Sequence, residues 1–203
     1  MITTIIFDIG QVLANFRWIE YMDDLGFNED TKKKVGEATV AGPVWSEFDR
    51  GAMPLNEIIE ACVAIRPEAE KEIRYFFDNM ETMVREFDYA EELVLKLKDN
   101  GYKIYLLSNY GESNFAYVKR DFKFVPHVDG MVISYQVKHV KPEPEIYKAL
   151  IDKYSLVPQE CVFLDDLKEN LEGAKKFGIN TIHFKSLEQG LEELRKMGVR
   201  CDM

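Results

Sequence analysis

The chain has 203 residues, 46% of them apolar and 31% charged, with a formal net charge of −10. This is the composition of a soluble globular protein with room for one good-sized core, or a core and a small accessory unit. The acidic balance argues against nucleic acid, whose phosphates need a basic face, and no apolar run approaches the ~18 residues of a membrane span.

In chain order, Thr3–Phe7 is β-branched and aromatic, stops at Asp8 and Gly10, and reads as a buried strand. The interval 15–86 has helical composition, punctuated at Gly26-Phe27-Asn28, Gly42-Pro43, Gly51 and Pro67, and contains no convincing buried strand. It is too long for a crossover helix, so a helical subdomain inserted after the first strand is expected. Leu93 and Leu97 share a helical face that stops at Asn100-Gly101, and a strand is expected at Ile104–Leu107. A strand at Met131–Ile133 precedes a helix marked by Ile146, Ala149 and Leu150. Cys161–Leu164 is another strand, followed by a helix carrying Leu167, Leu171 and Ala174 with Gly178 as its stop. Thr181–Phe184 and a helix with Leu187, Leu191 and Leu194 complete the chain. Alternating strands and helices predict an α/β fold, a Rossmann-like parallel sheet built from 1–14 and 87–203, with a helical cap from 15–86.

The polar residues at these strand ends form a pattern. Asp8 follows the first strand, Ser108-Asn109 the second, Lys141 stands on a later loop, and Asp165-Asp166 closes another strand. In open α/β sheets the carboxyl ends of the strands share one crevice where ligands bind. Each residue also has an ordinary reading: Asp8 and Ser108 can open turns, Lys141-Pro142 can start a helix, and Asp166-Leu167-Lys168-Glu169 can form a capping box. A capping box does not account for a second carboxylate next door. Three carboxylates in one crevice repel by ~4 kcal/mol per close pair at a surface-like dielectric, which a divalent cation relieves. Hard oxygen ligands beside a phosphate are the preferred setting of Mg²⁺. His127, His139 and His183 lack metal-ligand spacing. Neither Gly-x-x-x-x-Gly-Lys nor Gly-x-Gly-x-x-Gly occurs, which argues against nucleotide-fold enzymes of those kinds. Cys62, Cys161 and Cys201 are odd in number and have no Cys-x-x-Cys spacing. With no basic stretch and long apolar segment at the N-terminus, this predicts a reducing, cytoplasmic setting.

Taken in order over nearly the whole chain, these motifs resemble the haloacid dehalogenase superfamily, most of whose members are Mg²⁺-dependent phosphatases, and in particular its helical-cap, sugar-1-phosphate phosphatase branch. Asp8-Ile9-Gly10-Gln11-Val12 matches the first motif, Ser108 the second, Lys141 the third, and Asp165-Asp166 with Glu169-Asn170 the fourth. The resemblance implies that Asp8 is a nucleophile that forms an aspartyl-phosphate. It also implies that Asp8, the Gly10 carbonyl and Asp166 bind Mg²⁺ with Asp165 in support. Ser108, Asn109 and Lys141 would then hold the phosphoryl oxygens of a small phosphorylated metabolite, and Asn170 would steady the site. The cap segment from Trp45 to Gly51 is similar to a loop of sugar-phosphate members, which implies that Trp45, Glu47 and Arg50 contact the substrate. Arg50-Gly51 equally reads as a helix C-terminus. Gly10 departs from the pattern, because the family has there an Asp that transfers protons. Either a cap carboxylate such as Glu47 or Asp49 supplies this function, or the substrate has an easily departing group, as in a sugar-1-phosphate. Dehalogenases of the superfamily also lack this Asp, but they lack the acidic pair as well. A regulatory or binding member with little turnover is the other alternative.

Overall fold

Thr4–Phe7 buries every side chain and forms β1 in the computed structural model, which describes residues 1–78 and 80–201. After β1 come β2 (Ala14–Phe16) and five helices: α1 (Trp18–Asp24), α2 (Glu29–Ala38), α3 (Trp45–Arg50), α4 (Leu55–Ile65) and α5 (Glu70–Asp78). The chain continues through β3 (Val84–Glu86), α6 (Ala90–Asp99), β4 (Lys103–Ser108), α7 (Glu112–Asp121), β5 (Gly130–Ile133) and α8 (Ser134–Val137). It ends with α9 (Pro144–Tyr154), β6 (Cys161–Asp165), α10 (Lys168–Lys175), β7 (Asn180–His183) and α11 (Leu187–Lys196).

β1 is the centre of a five-stranded sheet in the order β5-β4-β1-β6-β7, and each neighbouring pair is parallel. Ile5 lies opposite Ile104 and Val162, so alternate residues of the strands stack by face. Ile5, Phe7, Leu106 and Leu164 pack with Leu93 and Leu97 of α6, Val118 of α7 and Leu194 of α11. Ile6, Leu107 and Phe163 pack on the other face with Ile146 and Leu150 of α9 and Leu171 of α10. Burial on both faces explains why the strands read as unbroken apolar runs. The order reverses at β1, so the ends of β1, β4 and β6 open onto one crevice.

Residues of α1 to α5 surround a core of their own, with Tyr21, Val35, Ile58, Ile73 and Phe76 at its centre. Each such side chain, fully buried, contributes about 1.5–3 kcal/mol. The expectation that 15–86 holds no strand needs one correction. Ala14–Phe16 and Val84–Glu86 pair antiparallel, Ala14 with Glu86 and Phe16 with Val84, as a ribbon where the helices leave and rejoin the sheet. Three-residue strands are too short to reveal a period of two.

The C-terminal end of α3 is fastened to the sheet domain. Gly51 takes a left-handed conformation with φ 63°, and a Cβ there would come within 2.9 Å of the Tyr135 Cβ. Lys138 Nζ donates to the Gly51 carbonyl at 2.5 Å, and Ser134 Oγ donates to the Asp49 carbonyl at 2.5 Å. Only a residue without a side chain fits this turn at this distance.

Candidate active site

Asp8 leaves β1 at the crevice, 7% exposed, and its Oδ1 is a focus of donors. The Ile9 N–H donates to it at 2.7 Å and Ser108 Oγ at 2.5 Å, and Lys141 Nζ lies 2.9 Å away. Burial pushes the Asp8 carboxyl up to about 6 against the attraction of Lys141. Lys141 itself is buried. Burial works against its ammonium, but Asp165 and Asp8 together outweigh that and raise its pKa. Asn109 holds the Lys141 backbone from both sides: its Nδ2 donates to the Lys141 carbonyl at 3.1 Å and its Oδ1 accepts from the Lys141 N–H at 2.8 Å. The side chain of Asn109 is therefore a brace for Lys141.

Asp165 and Asp166 part company. Asp165 is fully buried; its Oδ2 accepts from Lys141 Nζ at 2.7 Å, and Asn170 Nδ2 bridges both its oxygens at 3.0 and 3.1 Å. Its Oδ1 also accepts from the Leu167 N–H at 2.8 Å. The capping box on Asp166 does not form, because Leu167 occupies the cap position of α10 with no side-chain cap and Asp165 takes the loop N–H instead. Leu167, expected on the buried helical face, is 48% exposed. Asp166 lines the cavity, and no lysine or arginine of the described residues lies within ion-pair distance of it. Burial and the Asp165 charge raise its pKa. Oxygens of Asp8, Asp165 and Asp166 lie within 4.8 Å of one another, with Lys141 as their shared ammonium. Hard oxygen donors in excess of the local positive charge suit a divalent cation such as Mg²⁺, and Gly10 lines the cavity beside them.

A haloacid dehalogenase-like hydrolase family model matches residues 2–178. The chain belongs to that family. Among relatives of this haloacid dehalogenase-like hydrolase, bifunctional epoxide hydrolase 2 of Sus scrofa is 28% identical over 95% of the chain. The match takes in 38% of that protein's length, so the chain spans less than half of it. A D-ribitol-5-phosphate phosphatase of Bacteroides thetaiotaomicron is 27% identical over 89% of the chain and 91% of its own length. The solved structure of a family enzyme from the same organism, in complex with magnesium and inorganic phosphate, superposes with a TM-score of 0.71 at 27% identity. That superposition covers 92% of this chain and 96% of that one. The expected family, the Rossmann-like parallel sheet and the hydrolase class all agree with these findings.

In this haloacid dehalogenase-like hydrolase the crevice is a cavity of about 260 Å³. Asp8, Gly10, Ser108, Asn109, Lys141 and Asp166 line its base, and Trp45 lines it from the cap. Glu47 and Arg50 are not among the lining residues; Arg50 turns to Glu143, and Glu47 follows it at 3.3 Å. Phe16, Val40 and Leu167 give the mouth an apolar wall. Sequence reasoning missed Gln11, Tyr110 and Asn114, which also line the cavity. Tyr110 directly follows the Ser108-Asn109 motif, which is the one signal that could have found it. The Tyr110 hydroxyl is buried and has no hydrogen-bond partner among the described residues. Asp49, weighed only as a cap carboxylate, stands partly buried in the cavity wall.

Proposed function

We propose that the chain is a Mg²⁺-dependent phosphatase that hydrolyses a small phosphorylated metabolite, a sugar phosphate, through an aspartyl-phosphate on Asp8. The observation that carries the proposal is the convergence of Asp8, Ser108, Lys141 and Asp166 on one cavity. The donors to Asp8 fall on Oδ1, which leaves Oδ2 to attack phosphorus. The Ser108 hydroxyl, the Asn109 N–H and the Lys141 ammonium receive the phosphoryl oxygens, and water then cleaves the acyl phosphate. Asp8, the Gly10 carbonyl and Asp166 would hold the Mg²⁺, with Asp165 behind them fixing Lys141 and Asn170. When bound, the ion supplies charge neutralisation for the transferring group.

The cavity narrows the substrate class. At about 260 Å³ it falls below the ~300–1,000 Å³ of pockets for drug-sized ligands, so the substrate is small. Apart from Lys141, no lysine or arginine of the described residues lines it. A second anionic group on the substrate would be left unpaired there. A monophosphate with an uncharged remainder fits, and Trp45 offers that remainder an apolar face. The magnesium and phosphate in the Bacteroides structure, and the phosphatase name of the relative, support the same reading. Burial pushes the Cys62 and Cys161 thiols up to about 11, which suits inert core cysteines in a cytoplasmic protein. No described helix is long and apolar enough to cross a membrane.

The test is phosphate release from a panel of sugar monophosphates and bisphosphates, with Mg²⁺ and with excess chelator. The expected result is turnover of monophosphates that chelator abolishes and Asp8→Asn removes. Undiminished turnover in chelator, or in Asp8→Asn, would overturn the proposal.

A further inference from the structure

We infer that Asp49, carried into the cavity by the cap helix α3, is the acid–base residue of the reaction. The inference rests on the phosphatase reading above. A phosphate ester of an ordinary alcohol needs a proton on its departing oxygen, and the titratable groups of the cavity are few. Asp8 is the nucleophile, and Lys141 is held between Asp8 and Asp165 at 2.9 and 2.7 Å. Asp165 is sealed by Lys141 and Asn170, and Asp166 belongs to the cation side. The Tyr110 phenol is too weak an acid, its pKa raised well above the usual tyrosine value by burial. Glu47 lies outside the lining and pairs with Arg50 at 3.3 Å.

Asp49 remains, and its surroundings suit proton transfer. The Gly111 N–H lies near enough to its carboxyl to favour the charged form, and the charged groups that act on it are Asp8 and Lys141. Arg50, next along the helix, is turned away by its two contacts to Glu143. Burial, with the Asp8 charge adding to it, pushes the Asp49 carboxyl up to about 7, where it both gives and takes a proton near neutral pH. The position is built. Ser134 Oγ holds the Asp49 carbonyl at 2.5 Å, and a Cβ on Gly111 would come within 2.5 Å of the Phe48 ring. The bare backbone of Gly111 is what lets α3, which carries Asp49, approach this closely.

The proton ledger closes over two steps. In the first, an Asp8 oxygen bonds to phosphorus, and the bond from phosphorus to the ester oxygen breaks with its electron pair on oxygen. That oxygen takes the Asp49 proton and leaves as a neutral alcohol. In the second, the Asp49 carboxylate takes a proton from water as the water oxygen bonds to phosphorus. The bond from phosphorus to the Asp8 oxygen breaks, which restores both carboxyl groups and releases inorganic phosphate. With a carboxyl on the cap side, the glycine at position 10 no longer restricts the substrate to esters with an easily departing group.

The experiment compares Asp49→Asn with wild type on two probes in the presence of Mg²⁺: dinitrophenyl phosphate, whose leaving group needs no proton, and a simple alkyl monophosphate. For the alkyl ester, kcat/KM should fall about 10²–10³-fold. For the dinitrophenyl ester, kcat/KM should change less than about 10-fold, because it reports only aspartyl-phosphate formation. Water activation still suffers, so a burst of one dinitrophenolate per Asp49→Asn molecule should precede a slow steady state. A merely structural role would give no burst and an equal loss on both esters, and that result overturns the inference. If Asp49→Asn does not fold, wild-type kcat/KM across aryl phosphates of graded leaving-group acidity decides: a shallow dependence supports the inference and a steep one overturns it. Wild-type protein that hydrolyses neither ester overturns the phosphatase reading itself.

Discussion

Arg50 and Glu143 meet in a two-pronged ion pair, Nη1 to Oε2 and Nη2 to Oε1, both at 2.7 Å. The pair joins the end of cap helix α3 to the start of α9, one residue beyond Asp49 and two beyond Lys141. Its geometry makes Arg50 a fastener of the cap over the cavity floor.

The first prediction separates this role from sugar recognition. Arg50→Ala and Glu143→Ala should each lower kcat/KM by the same factor on a sugar phosphate and on a small aryl phosphate. A double-mutant cycle on stability should give a coupling of about 1 kcal/mol, because the pair is partly solvent-screened. Discrimination among sugar phosphates that changes in Arg50→Ala alone would return Arg50 to the substrate. The pair also has a pH signature. The hydrogen bonds from Arg50 hold the Glu143 carboxyl down to about 2, below its ordinary 4.5. A depressed carboxyl stabilises the fold above its unfolded pKa and loses that contribution as pH falls through the folded one. The stability gap between wild type and Glu143→Gln should therefore close as pH drops from about 4.5 toward 2.

The second prediction sets the two neighbouring aspartates against each other. Asp166→Ala should stay folded and lose the thermal stabilisation that Mg²⁺ gives wild type, which is about 2.7 kcal/mol at a hundredfold excess over Kd. Asp165→Ala should instead melt early, by about 3–5 kcal/mol, because it leaves Lys141 buried with half its charge compensation. Thermal melts of both variants with and without Mg²⁺ check this, and a common phenotype would contradict the division of labour.

The sheet was legible in the sequence because its strands are buried on both faces. Apolar runs such as Cys161–Leu164 can only be core, and the residues that follow them can only be crevice. The convergence of Asp8, Ser108, Lys141 and Asp166 follows from that topology. The cap wall was less legible, because a six-residue helix such as α3 presents side chains in all directions. Nothing in Trp45-Ser46-Glu47-Phe48-Asp49-Arg50 says which polar residue turns inward. The choice is made by Phe48 packing on Gly111 and by Glu143 capturing Arg50, contacts between segments distant in sequence. Tyr110 was missed because a turn after a strand does not declare its rotation, and Asn114 because nothing in the first turn of α7 says which of its polar residues faces the crevice.

A third prediction concerns Tyr110, a cavity-lining residue whose buried hydroxyl has no hydrogen-bond partner among the described residues. A buried unsatisfied polar group costs about 1–3 kcal/mol, so Tyr110→Phe should leave the melting temperature unchanged or raise it. Because that hydroxyl is closed off within the protein, the same substitution should leave KM on sugar phosphates at the wild-type value. Stability then moves without affinity. A drop in melting temperature would mean that the hydroxyl has a structural partner, and a raised KM would mean that it meets the substrate.

The last prediction gives Asp49 a thermodynamic signature independent of turnover. Burial raises its carboxyl from an ordinary 3.8 to about 7, so the folded state holds this proton more tightly than the unfolded chain. A raised pKa contributes stability that is fully present below the unfolded value and is lost as pH rises through the folded one, here between about 4 and 7. Above that window the fold carries a charged carboxylate next to Asp8 with Lys141 already shared. Asp49→Asn, neutral at every pH, has nothing to lose across the window. Relative to wild type it should be comparably stable near pH 4 and more stable at pH 8, by up to about 4 kcal/mol. The trend is opposite to that of Glu143→Gln, so a general effect of pH on the fold cannot imitate both. The measurement is the difference in unfolding free energy between Asp49→Asn and wild type at pH 4, 6 and 8, with chelator present so that metal binding does not contribute. A difference that stays flat across the series would show that Asp49 is ionised in the folded protein throughout, and that it could not serve as the acid.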